Sequence, residues 1–189
     1  MTGAEAGCNT EPASPPEEAE PPPALALDLV HESGDWSALD DLEPTLDQLA
    51  RAIAGHPRCR AAMPTAASVV LSSDGVVREL NRTYRRQDKA TNVLSFPLAS
   101  EAHGSDARAL AGDVVLAQET VEREAPELGV PLIAHVQHLI VHGVLHLLGF
   151  DHETEPGAND MEATEAEILA ALGLPNPYAR SQEARGSDG

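Results

Sequence analysis

The sequence predicts a single α+β domain, and three observations predict it. The chain has 189 residues, of which 42% are hydrophobic, enough for one sizeable core and too few for two comfortable domains. Short β-branched segments alternate along it with longer segments whose apolar residues recur at helical spacing. The acidic charge is concentrated at the two ends, leaving a neutral middle that is free to fold.

Taken in order, residues 1–23 are rich in Pro, Glu and Ala and read as a disordered acidic tail. Residues 24–31, ALALDLVH, alternate apolar and polar positions and suit a strand. Over 39–55, Leu46, Leu49 and Ile53 recur at helical spacing, and Gly55 and Pro57 close the helix. A strand over 66–73 is ended by Asp74-Gly75, a turn dipeptide. Residues 76–86 read as a short basic helix, and 91–98 as a strand ended by Pro97. The polar stretch 99–110 reads as a flexible loop, 112–117 as a strand, and 118–125 as the start of a helix. A long helix is expected over 130–148. A last one over 158–172 carries Met161, Thr164, Ile168, Leu169 and Leu172 and ends at Gly173. The domain is thus expected over 24–178, with a flexible tail over 179–189.

Composition narrows the function. Aromatics are only 3% of the chain, so Ala, Leu and Val must fill most of the core. No apolar run reaches the ~18 residues that a membrane-spanning helix needs, and no secretory signal is visible. Cys8 and Cys59 lack metal or redox spacing and read as free thiols of a reducing cytoplasm. Of the net charge of −19, residues 1–50 contribute 12 acids and no Lys or Arg, whereas 51–150 hold 10 acids and 10 bases. Global charge argues against a polyanionic partner. The cluster Arg78, Arg82, Arg85, Arg86 and Lys89 weakens that objection.

The informative stretch is HGVLHLLGFDH, residues 142–152. His142 and His146, four apart on a helix, project from one face a turn apart. Gly149 lets the chain leave the helix, and His152 can fold back to the same point. Three protein ligands with an open fourth position is the arrangement of a catalytic zinc site, where a bound water ionises near neutral pH. The same spacing, H-x-x-x-H-x-x-G-x-x-H, occurs in metzincin proteases, but there a glutamate general base follows the first histidine. Here that residue is Gly143, which points away from peptide hydrolysis. Asp151 suits either orientation of an imidazole or a turn role. His138, one turn before His142, reads mainly as a packing residue or a support for the ligands. It is also a weaker candidate for acid–base work or ligation. His135 reads as structural, and His31, His56 and His103 have no visible partner.

HGVLHLLGFDH resembles the signature of the YbeY family, bacterial rRNA maturation factors described as single-strand-specific endoribonucleases. LNRTYRRQDKATNVLSFP (80–97), GDVVLAQETVEREA (112–125), the Met161-to-Gly173 helix and NPY (176–178) also resemble family blocks, in family order. The resemblance implies a zincin-reminiscent fold, a small mixed sheet of about four strands packed with helices. It implies one Zn2+ per chain held by His142, His146 and His152, although other transition metals suit such a site. It makes Arg85 the functionally important arginine, with Arg85, His142 and His146 as the catalytic set. Arg82, Arg86 and Lys89 either extend contact along an RNA backbone or form a solvated helix face. Asn92, Ser95 and Phe96 read as scaffold. The implied activity is metal-dependent cleavage of single-stranded rRNA, in 16S rRNA 3′ end processing and ribosome quality control. Ribosomal proteins or the small subunit are implied partners, with no membrane and a cytoplasmic location. A metalloprotease-like hydrolase and a non-catalytic ribosome assembly factor with a structural metal stay open, and no general base is evident.

Overall fold

The computed structural model describes residues 25–39, 41–60, 66–98 and 110–179. The expected tails, most of the 99–110 loop and Cys8 lie outside the described residues. Four strands form one mixed sheet: β1 (Ala26–His31), β2 (Ala66–Ser72), β3 (Val93–Pro97) and β4 (Leu110–Ala117). Their order is β1-β2-β4-β3, with β1, β2 and β4 parallel and β3 antiparallel along the β4 edge. Five helices accompany them: α1 (Leu42–Gly55), α2 (Asp74–Arg85), α3 (Gln118–Leu128), α4 (Leu132–Leu147) and α5 (Glu155–Ala171). The expected architecture of about four strands with helices is the one observed.

Side-chain alternation along the strands divides the molecule into layers. Val69, Leu71, Val114 and Leu116 face the larger core. There they meet Leu42, Leu46, Leu49 and Ile53 of α1, the apolar side of α4, and Met161, Ile168 and Leu169 of α5. Leu94 and Val115 face the other way and pack on Val77 of α2, with Phe96 and Leu80 at the margin. The sheet therefore separates α2 from α4. At the β3 edge only one strand stands between a basic helix and a histidine-bearing one.

Asp74 and Gly75 differ from their expected role. They form the first turn of α2 rather than a separate turn after the strand. The Asp74 carboxylate accepts from the Thr120 backbone N–H and hydroxyl, each at 2.9 Å. A negative charge in a helix's first turn is also favoured by the helix dipole. The last helix begins at Glu155 instead of 158, because the Thr154 hydroxyl caps it by accepting from Gly157 N at 3.2 Å. No single helix is long and apolar enough to cross a membrane among the described residues.

Candidate metal centre

Helix α4 is buried on most of its surface, which fixes its rotation. His138, His142 and His146 then fall along its one partly open stripe, as a four-residue spacing requires. At its C-terminus Gly149 takes φ +91, a conformation glycine reaches without steric cost. The Gly149 N–H bonds His146 O and the Phe150 N–H bonds Leu145 O, closing the helix end. This turn returns the chain so that His152 joins the pair. One ring nitrogen from each of His142, His146 and His152 lies within 4.8 Å of the others. The three imidazoles singled out in the sequence are thus brought together.

Hydrogen bonds on the far side of two of the rings fix what they offer. His142 Nδ1 lies 2.9 Å from Glu165 Oε2, and His146 Nδ1 lies 3.0 Å from Phe150 O. Since a carboxylate and a carbonyl only accept, both Nδ1 atoms carry the proton. Both Nε2 atoms then present lone pairs, and they face each other at 3.2 Å. Two acceptors at that distance repel unless a cation sits between them. Burial is the main cause holding His146 down to about 4, with His142, His152 and Arg85 pushing the same way. Its ring is therefore a neutral donor at physiological pH. The spacing also fits in size: nitrogens about 2.0–2.1 Å from a tetrahedral zinc lie about 3.3 Å apart.

A second group, His138, His142 and Glu165, is also close enough to consider. Its contacts, 2.5 Å and 2.9 Å, are hydrogen-bond or ion-pair distances that leave no space for an ion between the atoms. Glu165 is fully buried on α5 and serves instead as an anchor. Its Oε2 accepts from His142 and from the Tyr178 hydroxyl, each at 2.9 Å. Its Oε1 pairs with His138 Nε2 at 2.5 Å and has no other partner. Burial alone would raise this carboxyl; the His138 and His142 contacts outweigh it and hold it near 2. Glu165 was missed in the sequence, although Met161, Glu165 and Ile168 share one helical stripe. An acid on an apolar stripe is the signal that would have found it.

Other candidates sort by their partners. Asp151 accepts from the Glu153 N–H at 3.1 Å, so it has the turn role. His135 is buried with Nε2 2.9 Å from Glu124, the structural part expected of it. Arg82 pairs with Glu79 at 2.7 Å and Arg78 with Asp88 at 2.7 Å, which makes Arg82 part of a solvated, internally paired face. Arg85 reaches across the β3 edge, its Nη2 3.5 Å from Ser95 O and its charge near enough to act on His146. Ser95 is more than passive scaffold, since its hydroxyl donates to Gly143 O at 3.0 Å and docks α4 on β3.

Gly143 explains why the protease base is missing. A Cβ there would lie 2.5 Å from Val114 Cγ1 and 3.1 Å from Ser95 Oγ. Helix α4 approaches the sheet so closely at this residue that even a Cβ requires Val114 to shift, and a glutamate would require more. The metal face and the sheet-packing face divide between neighbouring residues, and chemistry at 143 is sterically closed.

Comparison with known proteins bears on the same site. Residues 33–173 match the family model described as endoribonuclease YbeY. A Rhodospirillum rubrum protein named endoribonuclease YbeY is 47% identical over 178 residues, 88% of each chain. A namesake from Sphingopyxis alaskensis is 47% identical over 162 residues, covering 79% of this chain and 95% of its own. A solution structure of a Thermotoga maritima protein aligns with a TM-score of 0.45 and 24% identity, over 77% of this chain and 91% of the other.

Proposed function

On the premise that the chain belongs to the YbeY family of endoribonucleases, we propose that it cleaves single-stranded RNA with one zinc ion held by His142, His146 and His152. When bound, a divalent ion supplies Lewis acidity toward phosphate oxygens and toward water. The observation that carries this reading is the convergence of the three imidazoles, with the Nε2 atoms of His142 and His146 facing each other at 3.2 Å. Their Nδ1 protons are tied to Glu165 and Phe150 O, so neither ring need reorganise to bind.

Arg85 is exposed at the mouth of the site, and its 3.5 Å contact with Ser95 O is weak enough to be exchanged for a phosphate. A guanidinium holds a phosphate through two parallel hydrogen bonds and offsets the charge that builds on its oxygens in the transition state. Glu165 takes no proton from substrate, because it is fully buried and held by three side chains. Its part is to hold His142.

The substrate within the cell that we propose is ribosomal RNA, with the 16S 3′ end as the target and the cytoplasm as the location. Ribosomal proteins of the small subunit are proposed partners, and the acidic ends of the chain suit basic ones. A metalloprotease reading is not favoured, since Gly143 has no room for a base. A purely structural metal is not favoured either, because the relatives are named endoribonucleases.

The test compares a single-stranded oligoribonucleotide with its duplex. Cleavage of the single strand, abolished by a chelator and restored by zinc, is expected. Arg85→Ala is expected to lower kcat roughly a hundredfold, the usual effect of removing one donor to a charged transition state. Undiminished cleavage under chelation, or full activity of Arg85→Ala, would contradict the proposal.

A further inference from the structure

Tyr84 stands out from the rest of the surface. The chain has two Tyr, two Phe and one Trp, so an exposed aromatic is not a background feature. Tyr84 is 68% exposed, more than any other exposed large hydrophobic among the described residues. Its ring meets Phe96 edge to face, with centroids 5.2 Å apart and planes at 67°. Phe96 is half-buried against the α2-side cluster, so it props the tyrosine without covering it.

Its position relates it to the metal centre. Tyr84–Phe96 and Arg85–Ser95 are consecutive pairs across the same α2–β3 seam. Ser95 in turn donates to Gly143 O, beside His142. Charge on α2 and the segment that follows it is selective. Arg78 and Arg82 are neutralised by Asp88 and Glu79, whereas Arg85, Arg86 and Lys89 make no ion pair among the described residues. The backbone that carries these free cations is held in place. Arg86 adopts φ 58, Gln87 N bonds Asn81 O, and the buried Asn81 Nδ2 donates to Lys89 O at 2.8 Å.

An aromatic face beside unpaired cations is how proteins hold single-stranded nucleic acid, stacking a base while the charges track the backbone. We propose that Tyr84 is a stacking platform for one unpaired nucleobase of the RNA, adjacent to the nucleotide whose phosphate meets Arg85. This deepens the endoribonuclease reading and rests on it. The platform also gives a physical source for single-strand preference. In a duplex both faces of a base are covered by its neighbours, and only an unstacked base can lie on the tyrosine.

The test measures binding of a labelled 2′-O-methyl oligonucleotide, checked on a gel to stay intact during the measurement, and of an abasic oligonucleotide of equal length. The full-length protein is compared with Tyr84→Ala, Tyr84→Phe and Tyr84→Trp. Tyr84→Ala is expected to weaken binding of the base-bearing strand roughly tenfold and to leave abasic binding unchanged. Tyr84→Phe is expected to keep wild-type affinity. Since the native Trp36 is buried, Tyr84→Trp adds an emission that the base-bearing strand quenches and the abasic strand does not. Wild-type affinity in Tyr84→Ala, an equal loss on both strands, or equal quenching by both would overturn the platform. Wild-type protein that neither binds nor cleaves single-stranded RNA would overturn the endoribonuclease reading, and the platform with it.

Discussion

His142 on α4 and Glu165 on α5 are joined through a 2.9 Å contact between an imidazole nitrogen and a carboxylate with no solvent exposure. The acid thereby decides which nitrogen of His142 faces the metal centre. The site is built from inside the core outward, with the last helix holding the ring that the preceding helix displays.

Replacing Glu165 by Gln keeps the shape and removes the charge. Zinc affinity is expected to fall about 10- to 100-fold, the usual loss when a ligand's supporting partner is changed. Competition against a chromophoric chelator measures it. Tyr178→Phe, which removes one hydrogen bond to the same carboxylate but not the His142 contact, is expected to lower affinity less. Wild-type affinity in Glu165→Gln would show that His142 is oriented by something else.

Gly143→Ala places a methyl 2.5 Å from Val114 Cγ1. Overpacking of this kind costs about 1–3 kcal/mol, more than the ~1 kcal/mol of helix propensity that alanine adds. Urea unfolding is expected to show net destabilisation. Because the severest clash is with the Val114 side chain, Gly143→Ala combined with Val114→Ala is expected to be less destabilised than the two losses added together. Strict additivity would mean that the close approach of α4 to β4 is absent in solution.

Thr154→Ala removes the cap of α5, whose hydroxyl accepts from Gly157 N. A loss of about 1 kcal/mol is expected in the same measurement. A neutral result would place the helix start elsewhere.

Cys59 is 1% exposed, and burial pushes its thiol up to about 11. Both effects suppress the thiolate that reacts with alkylating agents. At pH 8 the native protein is expected to leave the Cys59 peptide unlabelled by iodoacetamide, with labelling after denaturation. Rapid labelling of the native chain would contradict the buried placement.

The elements legible in the sequence were those with a strong period. Leu46, Leu49 and Ile53 marked α1 because they are buried in the same core, and the three histidines declared themselves by spacing that only a helix and a glycine turn bring to one point. The start of α5 was not legible, since residues 155–160 bury no large apolar side chain and the boundary is set by the Thr154 cap. Asp74-Gly75 misled because the same residues suit a turn and a helix first turn; the Thr120 contacts decide between them. That Gly143 brings no base is visible in the sequence. That the absence is steric depends on Val114 and Ser95, 29 and 48 residues away in the chain.

The most direct measurement is the zinc content of the purified protein, wild type against His142→Ala, His146→Ala and His152→Ala, each checked for folding by circular dichroism. One ion per chain in the wild type, and little or none in the three folded variants, is the result expected if the imidazoles share a single ion. Folded variants that each retain a full complement of zinc would contradict it.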